Sequence, residues 1–217
     1  PDYLILKSEI DIKDLRRTIG STDWESGDWI RLSILGYTSD PKKPKYSGQL
    51  MAEWDKFFLL FFDHNVLQFK IATGYLFEKE EIPETKFYFG GFGNRAIENE
   101  PVKQYTKMFR FPGVPIYSIV ADKFVKVMIS NSLPALRIPG ASFLGIDLKN
   151  INFSIFSQGL YSDSPLIGKA IDAGAQLNFV FQHWENLETT LSAGIAKAWW
   201  NGGNDHEWFI SFKLLKD

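Results

Sequence analysis

Apolar and polar residues alternate with a period of two along most of this chain, which is typical of β-strands whose two faces meet different surroundings. An amphipathic helix would instead repeat its apolar residues every three to four positions. The stretch from Ile171 to His183 shows the alternation best. Its odd positions are mostly apolar (Ile171, Ala173, Ala175, Leu177, Phe179, Phe181) and its even positions are mostly polar or small (Asp172, Gly174, Gln176, Asn178, Gln182).

Nine segments carry this pattern, and most of them are long. Strands of soluble domains average about five or six residues, whereas a tilted strand that crosses a membrane needs about 9 to 11. Turn-forming residues separate the segments, for example at 201–205, so we expect antiparallel hairpins in sequence order. The segments are Tyr3–Ile12, Asp28–Thr38, Tyr46–Phe58, Asn65–Phe77, Tyr117–Leu133, Phe143–Ser157, Ile171–His183, Glu188–Trp199 and His206–Leu215.

The length of the strands favours a wide transmembrane β-barrel, in which apolar residues face lipid and polar residues face a wet interior. We therefore expect Leu177, Phe179 and Phe181 to point outward and Gln176, Asn178 and Gln182 to point inward. Aromatic residues make up 16% of the chain, and several lie near strand ends, where membrane barrels carry interfacial girdles. These are Trp29, Trp54, Tyr75, Trp184, Trp199, Trp200 and Trp208. The alternative is a soluble lipocalin-like ligand-binding barrel, whose inward face is apolar.

Composition removes several other classes of protein. The net charge of -2 and the pI near 6.0 give no basic footprint for a nucleic-acid partner. There is no cysteine, and the longest apolar run, Phe57–Phe62, is far too short for a membrane-spanning helix. The N-terminus shows no signal peptide, so we expect a C-terminal fragment of a longer protein that forms one domain over residues 1–217.

The segment Phe87–Arg95 resembles the long lid loop of the BamA/TamA-type surface-antigen barrels of the bacterial outer membrane. The residues that carry this lid-loop motif are Phe89, Gly90, Gly91, Phe92, Gly93 and Arg95. Residues 111–114, 122–127 and 133–138 resemble the region that follows the loop in those barrels. The resemblance implies a loop over about 87–111 that folds inward, with Arg95 meeting a carboxylate such as Asp122 or Asp147.

The last segment resembles the terminal strand that the barrel-assembly machinery reads as an insertion signal, through Trp208, Phe209, Ile210, Phe212 and Leu214. We expect Trp208, Ile210, Phe212 and Leu214 to face lipid. The family barrel has sixteen strands, so this chain would be the C-terminal portion of an all-β, antiparallel up-and-down barrel. It would supply about nine or ten strands, the tenth being Lys86–Phe92. The implied partners are outer-membrane lipid, the assembly machinery and the remaining N-terminal part of the same protein.

Candidate chemistry is sparse, and we expect no catalytic residue, metal site or cofactor. The glycines at 90–93 lack the spacing and the following Lys-Ser/Thr of a phosphate-binding loop. The histidines, His64, His183 and His206, show no metal-ligand spacing. We therefore expect a non-enzymatic outer-membrane domain that anchors, inserts or translocates a partner polypeptide. The alternative function is the membrane anchor of an enzyme, with a patatin-like lipase or a peptidase-like module N-terminal to the barrel.

Overall fold

The computed structural model describes residues 3–19, 21, 24–39, 45–78, 85–92, 107–138, 142–143, 146–183 and 187–216. These ranges contain strands and no α-helix, so the expected all-β fold is confirmed. No helix in the described ranges is long and apolar enough to cross a membrane. The strands are β1 (Tyr3–Arg16), β2 (Ser26–Ser39), β3 (Lys45–Leu59), β4 (Val66–Glu78), β5 (Phe87–Phe89), β6 (Ile119–Ala121), β7 (Lys123–Ser132), β8 (Ser142–Phe143), β9 (Ile146–Ser162), β10 (Lys169–His183), β11 (Leu187–Trp200) and β12 (Gly203–Lys216).

Nine long strands form one antiparallel sheet in the order β1-β2-β3-β4-β7-β9-β10-β11-β12, and the short β8 pairs with β9. Each long strand corresponds to one of the nine segments expected from the alternation. Each long strand pairs with the next long strand along the chain, and only the short β5, β6 and β8 are passed over in this order. The expected antiparallel pairing in sequence order is therefore confirmed. The remaining elements, β5 and β6, form a separate two-stranded sheet.

The segment expected as one strand from Tyr117 to Leu133 is in fact two strands in different sheets. Tyr117 has a positive φ of 58°, and a single residue separates the end of β6 at Ala121 from the start of β7 at Lys123. Asp122 lies between them, and its carbonyl accepts a hydrogen bond of 2.8 Å from the backbone N–H of Leu76 in β4. Alternation continues across this junction, so the sequence pattern could not reveal the change of sheet.

The connection between β4 and β7 gives the sheet two distinct ends. We call its described residues, 85–92 and 107–122, the plug, and the end of the sheet where it emerges the plug end. The connection 60–65 and the described residues 133–138, which follow β7, lie at the opposite end. Since each strand reverses direction, β1 and β12 both run from the plug end to the opposite end.

The first and last strands are the edges of the sheet. Over the described residues β1 pairs with β2 through all 14 of its positions, and β12 pairs with β11 in the same way. No pairing between β1 and β12 is present among these residues. Each edge strand therefore has one side without a ladder partner in the described part of the chain.

The sheet buries its polar face and exposes its apolar face. In β10, Gln176 is 1% exposed and Leu177 is 38% exposed. In β12, Trp208 and Ile210 are 74% and 78% exposed, while Phe209 between them is buried at 6%. The expected assignment of faces is therefore confirmed for these residues. Phe179 and Phe181 are partly buried, as are Asn178 and Gln182.

The aromatic residues expected to form a girdle do not all lie on the outward face. Trp54, Tyr75, Trp199 and Trp208 are exposed on the outward face. Trp200, by contrast, packs against the buried cluster on the inward side. Adjacent residues of a strand point to opposite faces, so Trp199 and Trp200 cannot both reach the outside. The side chain of Trp29 bonds inward-facing Asp11, and Trp184 lies outside the described residues.

Candidate functional site: a plug inside the sheet

The plug packs against the inward face of the sheet. Phe87 and Phe89 of β5 and Ile119 of β6 are at most 1% exposed, and the two strands pair over three residues. The ring of Phe89 lies 4.7 Å from that of Phe124, whose side chain comes from the inward face of β7. The plug is thus the apolar core of a sheet whose own inward residues are largely polar. The wall residues in this cluster are Ala72, Leu76, Phe124, Leu160, Ala170 and Ala198.

The described part of the expected lid loop belongs to this plug. Phe89, Gly90, Gly91 and Phe92 are all buried. Gly90 and Gly91 have φ angles of +130° and +65°, which L side chains rarely adopt, so glycine is needed for this turn. Within its described residues, 87–92 and 107–111, the expected long loop is interrupted only by the three residues of β5 and by a bridge between Gly91 and Phe111. Gly93 and Arg95 lie outside the described residues.

The last strand holds the plug through a carboxylate. Glu207 of β12 accepts hydrogen bonds from the backbone N–H of Phe92 at 3.0 and 3.1 Å and from that of Gly113 at 2.9 Å. The ring of Phe92 stacks on that of Phe209 with centroids 3.8 Å apart and planes 9° apart. These contacts join two segments 115 residues apart in the chain. We call Glu207 and Phe209 the latch.

Gly113 brings the plug directly onto the wall. Its φ is +84°, and a Cβ at this position would lie 2.7 Å from the backbone nitrogen of Ala198 in β11. Small inward residues on β11, Ala196 and Ala198, are at most 1% exposed at this contact. A side chain larger than glycine at position 113 would therefore push the plug away from the wall.

Lysine and threonine contacts fix the plug at two further strands. The ammonium of Lys126, on the inward face of β7, donates to the carbonyls of Lys107 at 3.1 Å, Met108 at 3.2 Å and Arg110. On the other side, Thr85 accepts a hydrogen bond from Ser47 at 3.0 Å, and its carbonyl accepts one from Gln49. The plug is therefore bonded to β3, β7 and β12, which curve around it.

The inward face of β1 to β4 carries a network of ion pairs that we call the charged wall. The ammonium of Lys70 lies 2.5 Å from Glu53 and 3.4 Å from Asp55. The guanidinium of Arg31 lies 3.5 Å from Glu53 and 3.3 Å from both Glu9 and Asp11. Every charge of this wall therefore has an opposite charge within 4 Å. The members are Glu9, Asp11, Arg31, Glu53, Asp55 and Lys70.

The inward faces of β9 to β11 carry mainly uncharged polar groups, which we call the neutral wall, with the buried carboxyl of Asp172 beside them. Asn178 accepts hydrogen bonds from Gln176 at 2.6 Å and from Ser192 at 2.7 Å. Neither amide atom of Gln158 has a hydrogen-bond partner among the described residues, although Gln158 is only 2% exposed. Buried polar groups are normally bonded to protein or to ordered water, so this wall is suited to a hydrated interior. Its members are Asn150, Asn152, Ser154, Gln158, Gln176, Asn178 and Ser192.

A buried glutamate clamps two turns at the opposite end. Glu25 accepts hydrogen bonds from the backbone and hydroxyl of Thr18 at 2.8 and 2.7 Å, and its carboxylate lies 2.5 Å from Nδ1 of His64. Burial opposes ionisation of Glu25, but the bonds from Thr18 and His64 outweigh it and lower the pKa of its carboxyl to about 2. The clamp joins the β1–β2 turn to the β3–β4 turn.

The remaining expected residues fall in separate places. Asp122, a suggested partner of Arg95, lies 3.7 Å from Lys86, and the other, Asp147, is exposed. Trp208, Ile210 and Phe212 lie on the outward face of β12, whereas Phe209 belongs to the latch. The side chain of Leu214 is outside the described set. Glu207, Lys126 and Gln49 were not expected from the sequence, although alternation places each of them on an inward face.

Neither metal chemistry nor similarity to known proteins adds to this description. The described residues contain no group of three or more His, Cys, Asp or Glu side chains that could hold a metal ion. No protein-family model matches the chain, and neither does any curated protein or solved structure. The function must therefore be argued from the geometry.

Proposed function

We propose that this chain is a non-enzymatic β-barrel domain of a bacterial outer membrane, with an internal plug, that anchors, inserts or translocates a partner polypeptide. The observation that carries the proposal is the inverted burial of the sheet. Asp172, Gln176 and Gln158 are at most 2% exposed on its inward face. Leu6, Ile210 and Phe212 are 64% to 78% exposed on its outward face.

This arrangement fits lipid far better than water. A soluble barrel gains stability by burying its apolar face, at about 25 cal/mol for each Å² removed from water. Here the outward faces of the nine adjacent strands expose many large apolar side chains, whereas soluble monomers rarely expose contiguous apolar patches larger than a few hundred Å². Embedding the outward face in hydrocarbon removes this cost, and the inward polar groups remain hydrated.

The unpaired edges support a polypeptide partner. A strand edge in hydrocarbon leaves backbone N–H and C=O groups without hydrogen bonds, at several kcal/mol for each group. Because β1 and β12 run in the same direction, an added segment that runs the opposite way would pair antiparallel with both. An odd number of such strands would close the barrel with an even total, as in bacterial single-chain barrels.

The resemblance to BamA/TamA-type barrels extends this proposal to the plug. In that interpretation Phe89 to Phe92 are the inward-folded lid loop, and β12 is the terminal strand that the assembly machinery recognises. The latch between Glu207 and Phe92 links these two elements. The longest described connection lies at the plug end, and membrane barrels carry their longer loops outside the cell, so the plug end would face outward.

An arginine placed in the middle of the outward face tests membrane embedding. Ile155 lies near the centre of β9 and is 49% exposed. Ile155→Arg should reduce the free energy of folding into lipid vesicles by about 2–4 kcal/mol, because its guanidinium would lie near the bilayer midplane. The measurement is the folded fraction on refolding from urea into phosphatidylcholine vesicles.

Ile116 provides a matched control. It is the same residue type at nearly the same exposure, 52%, but it lies on the plug connection rather than on the sheet. Ile116→Arg should fold into vesicles almost as well as the parent chain. Equal losses for the two variants, or folding of the parent chain in buffer without lipid, would contradict the proposal.

A further inference from the structure

Three outward-facing lysines lie at the plug end of the sheet, and each one contacts an aromatic ring. The ammonium of Lys123 lies 4.7 Å from the ring centroid of Tyr75, and that of Lys169 lies 5.5 Å from the ring of Tyr161. The ammonium of Lys197 lies 5.6 Å from the ring of Trp199. We call these six residues the basic girdle.

Strand register places four of the six girdle residues in directly opposed pairs. Tyr75 is directly opposite Lys123 in the β4–β7 pairing, and Tyr161 is directly opposite Lys169 in the β9–β10 pairing. Lys197 and Trp199 are two residues apart on the same face of β11. Neighbouring strands are about 4.8 Å apart, so the three ammonium groups lie within roughly 15 Å of their neighbours. The girdle thus spans adjacent strands from β4 to β11.

The girdle lies at the border of the apolar surface. Further along the same strands, towards the opposite end, Val125, Ile155 and Ile195 are 37% to 49% exposed. Lysine can lay its apolar stem along such a surface while its ammonium reaches the headgroup region, and aromatic rings prefer the same depth. If the outward face is embedded, as proposed above, the girdle lies at the level of the lipid headgroups.

Among the described residues, no ion pair joins a girdle lysine to a carboxylate. Three described carboxylates at the plug end have other partners: Asp122 lies 3.7 Å from Lys86, Asp163 accepts backbone N–H bonds from Asp122 and Lys123, and Asp205 lies 3.6 Å from His206.

Towards the opposite end the pattern is different. Lys13 lies 3.3 Å from Asp11, Lys56 lies 2.6 Å from Asp28, and Lys149 pairs with Glu188. The positive charge at the two ends of the sheet is therefore used in different ways. Among the described residues, these lysines near the opposite end are neutralised by carboxylates, whereas the girdle lysines contact aromatic rings instead.

We infer that the basic girdle binds the phosphate groups of anionic lipids in the membrane leaflet that surrounds the plug end. This inference rests on the proposed membrane embedding and names the lipid class that the domain prefers. Lysine ammonium groups bind phosphate as point charges. The aromatic rings keep the ammonium groups at headgroup depth, and their π faces attract cations without neutralising them.

The test compares two triple variants with the same change of charge. K123Q/K169Q/K197Q removes the girdle lysines, and K13Q/K56Q/K149Q removes three ion-paired lysines near the opposite end. Each protein is reconstituted in phosphatidylcholine nanodiscs with a minority of phosphatidic acid. The amount of phosphatidic acid that remains bound on extraction is then measured by native mass spectrometry.

A lysine near an anionic surface contributes about fivefold in affinity, so loss of all three should weaken retention of phosphatidic acid roughly a hundredfold. The control triple variant should retain phosphatidic acid like the parent chain, and K123R/K169R/K197R should do the same. Equal retention by both glutamine variants would overturn the inference, even though the protein has entered the bilayer. Failure of the parent chain to enter any nanodisc would instead reject the proposed function.

Discussion

The two inner walls of the sheet bury polar groups in different ways. On the charged wall each ionised side chain has an opposite charge close by, with Lys70 between Glu53 and Asp55. On the neutral wall several buried amides, such as Gln158, have no partner among the described residues. Each charge of the first wall is paired within the protein, whereas the buried amides of the second wall need water or another polar partner. One part of the inward face is therefore cross-linked by ion pairs, and the other part carries buried amides without partners among the described residues.

Removal of the central cation should break the charged wall. Lys70→Met leaves Asp55 buried without a counter-charge and leaves Glu53 with Arg31 alone, and loss of one partner of a buried pair typically costs about 3–5 kcal/mol. We expect a destabilisation of this size in urea unfolding from detergent micelles. The double variant Lys70→Met with Asp55→Asn removes the uncompensated charge and should recover part of the loss. An effect of Lys70→Met no larger than that of a surface lysine would show that the wall is solvated.

An added methyl group on β11, beside the neutral wall, should destabilise the fold through overpacking rather than through a change of charge. A Cβ at Gly194 would lie 2.6 Å from the carbonyl oxygen of Ala175 and would overlap the ring of Phe209. Gly194→Ala should therefore cost about 1–3 kcal/mol and loosen the latch, because overpacking forces neighbouring groups to move. Gly159 in β9 has open space at its Cβ position, so Gly159→Ala should be tolerated. Comparable unfolding midpoints for the two variants would contradict this account of the wall.

The smallest expected effect is a change in the pH dependence of stability at acid pH. The pKa of Glu25, in the clamp beside the charged wall, is lowered from 4.5 to about 2. A carboxyl with a lowered folded-state pKa stabilises the fold above its unfolded-state pKa. Its contribution is lost as the pH falls from about 4.5 towards 2. Glu25→Gln should flatten the pH dependence of stability within this window. An unchanged profile would exclude the clamp as its source.

The sequence alone predicted the strands and their faces well. Side chains of a strand alternate between two faces by covalent geometry, so the assignment of Gln176 inward and Leu177 outward needs no knowledge of distant contacts. The same local rule also separates Trp199 from Trp200, and a strict application of it would have placed Trp200 inside. The long strand lengths similarly indicated the nine-strand meander before any pairing was known.

Tertiary structure decided what fills the interior. The latch joins Glu207 to Phe92 across 115 residues, and alternation shows only that Glu207 points inward, not what it meets there. The division of Tyr117–Leu133 into β6 and β7 has the same origin, because the pattern is continuous across Asp122 while the chain changes sheets. The sequence determines the inward and outward faces through local backbone geometry. The partners of each inward group depend on which distant segments the fold brings against it, and such long-range contacts are not encoded in local periodicity.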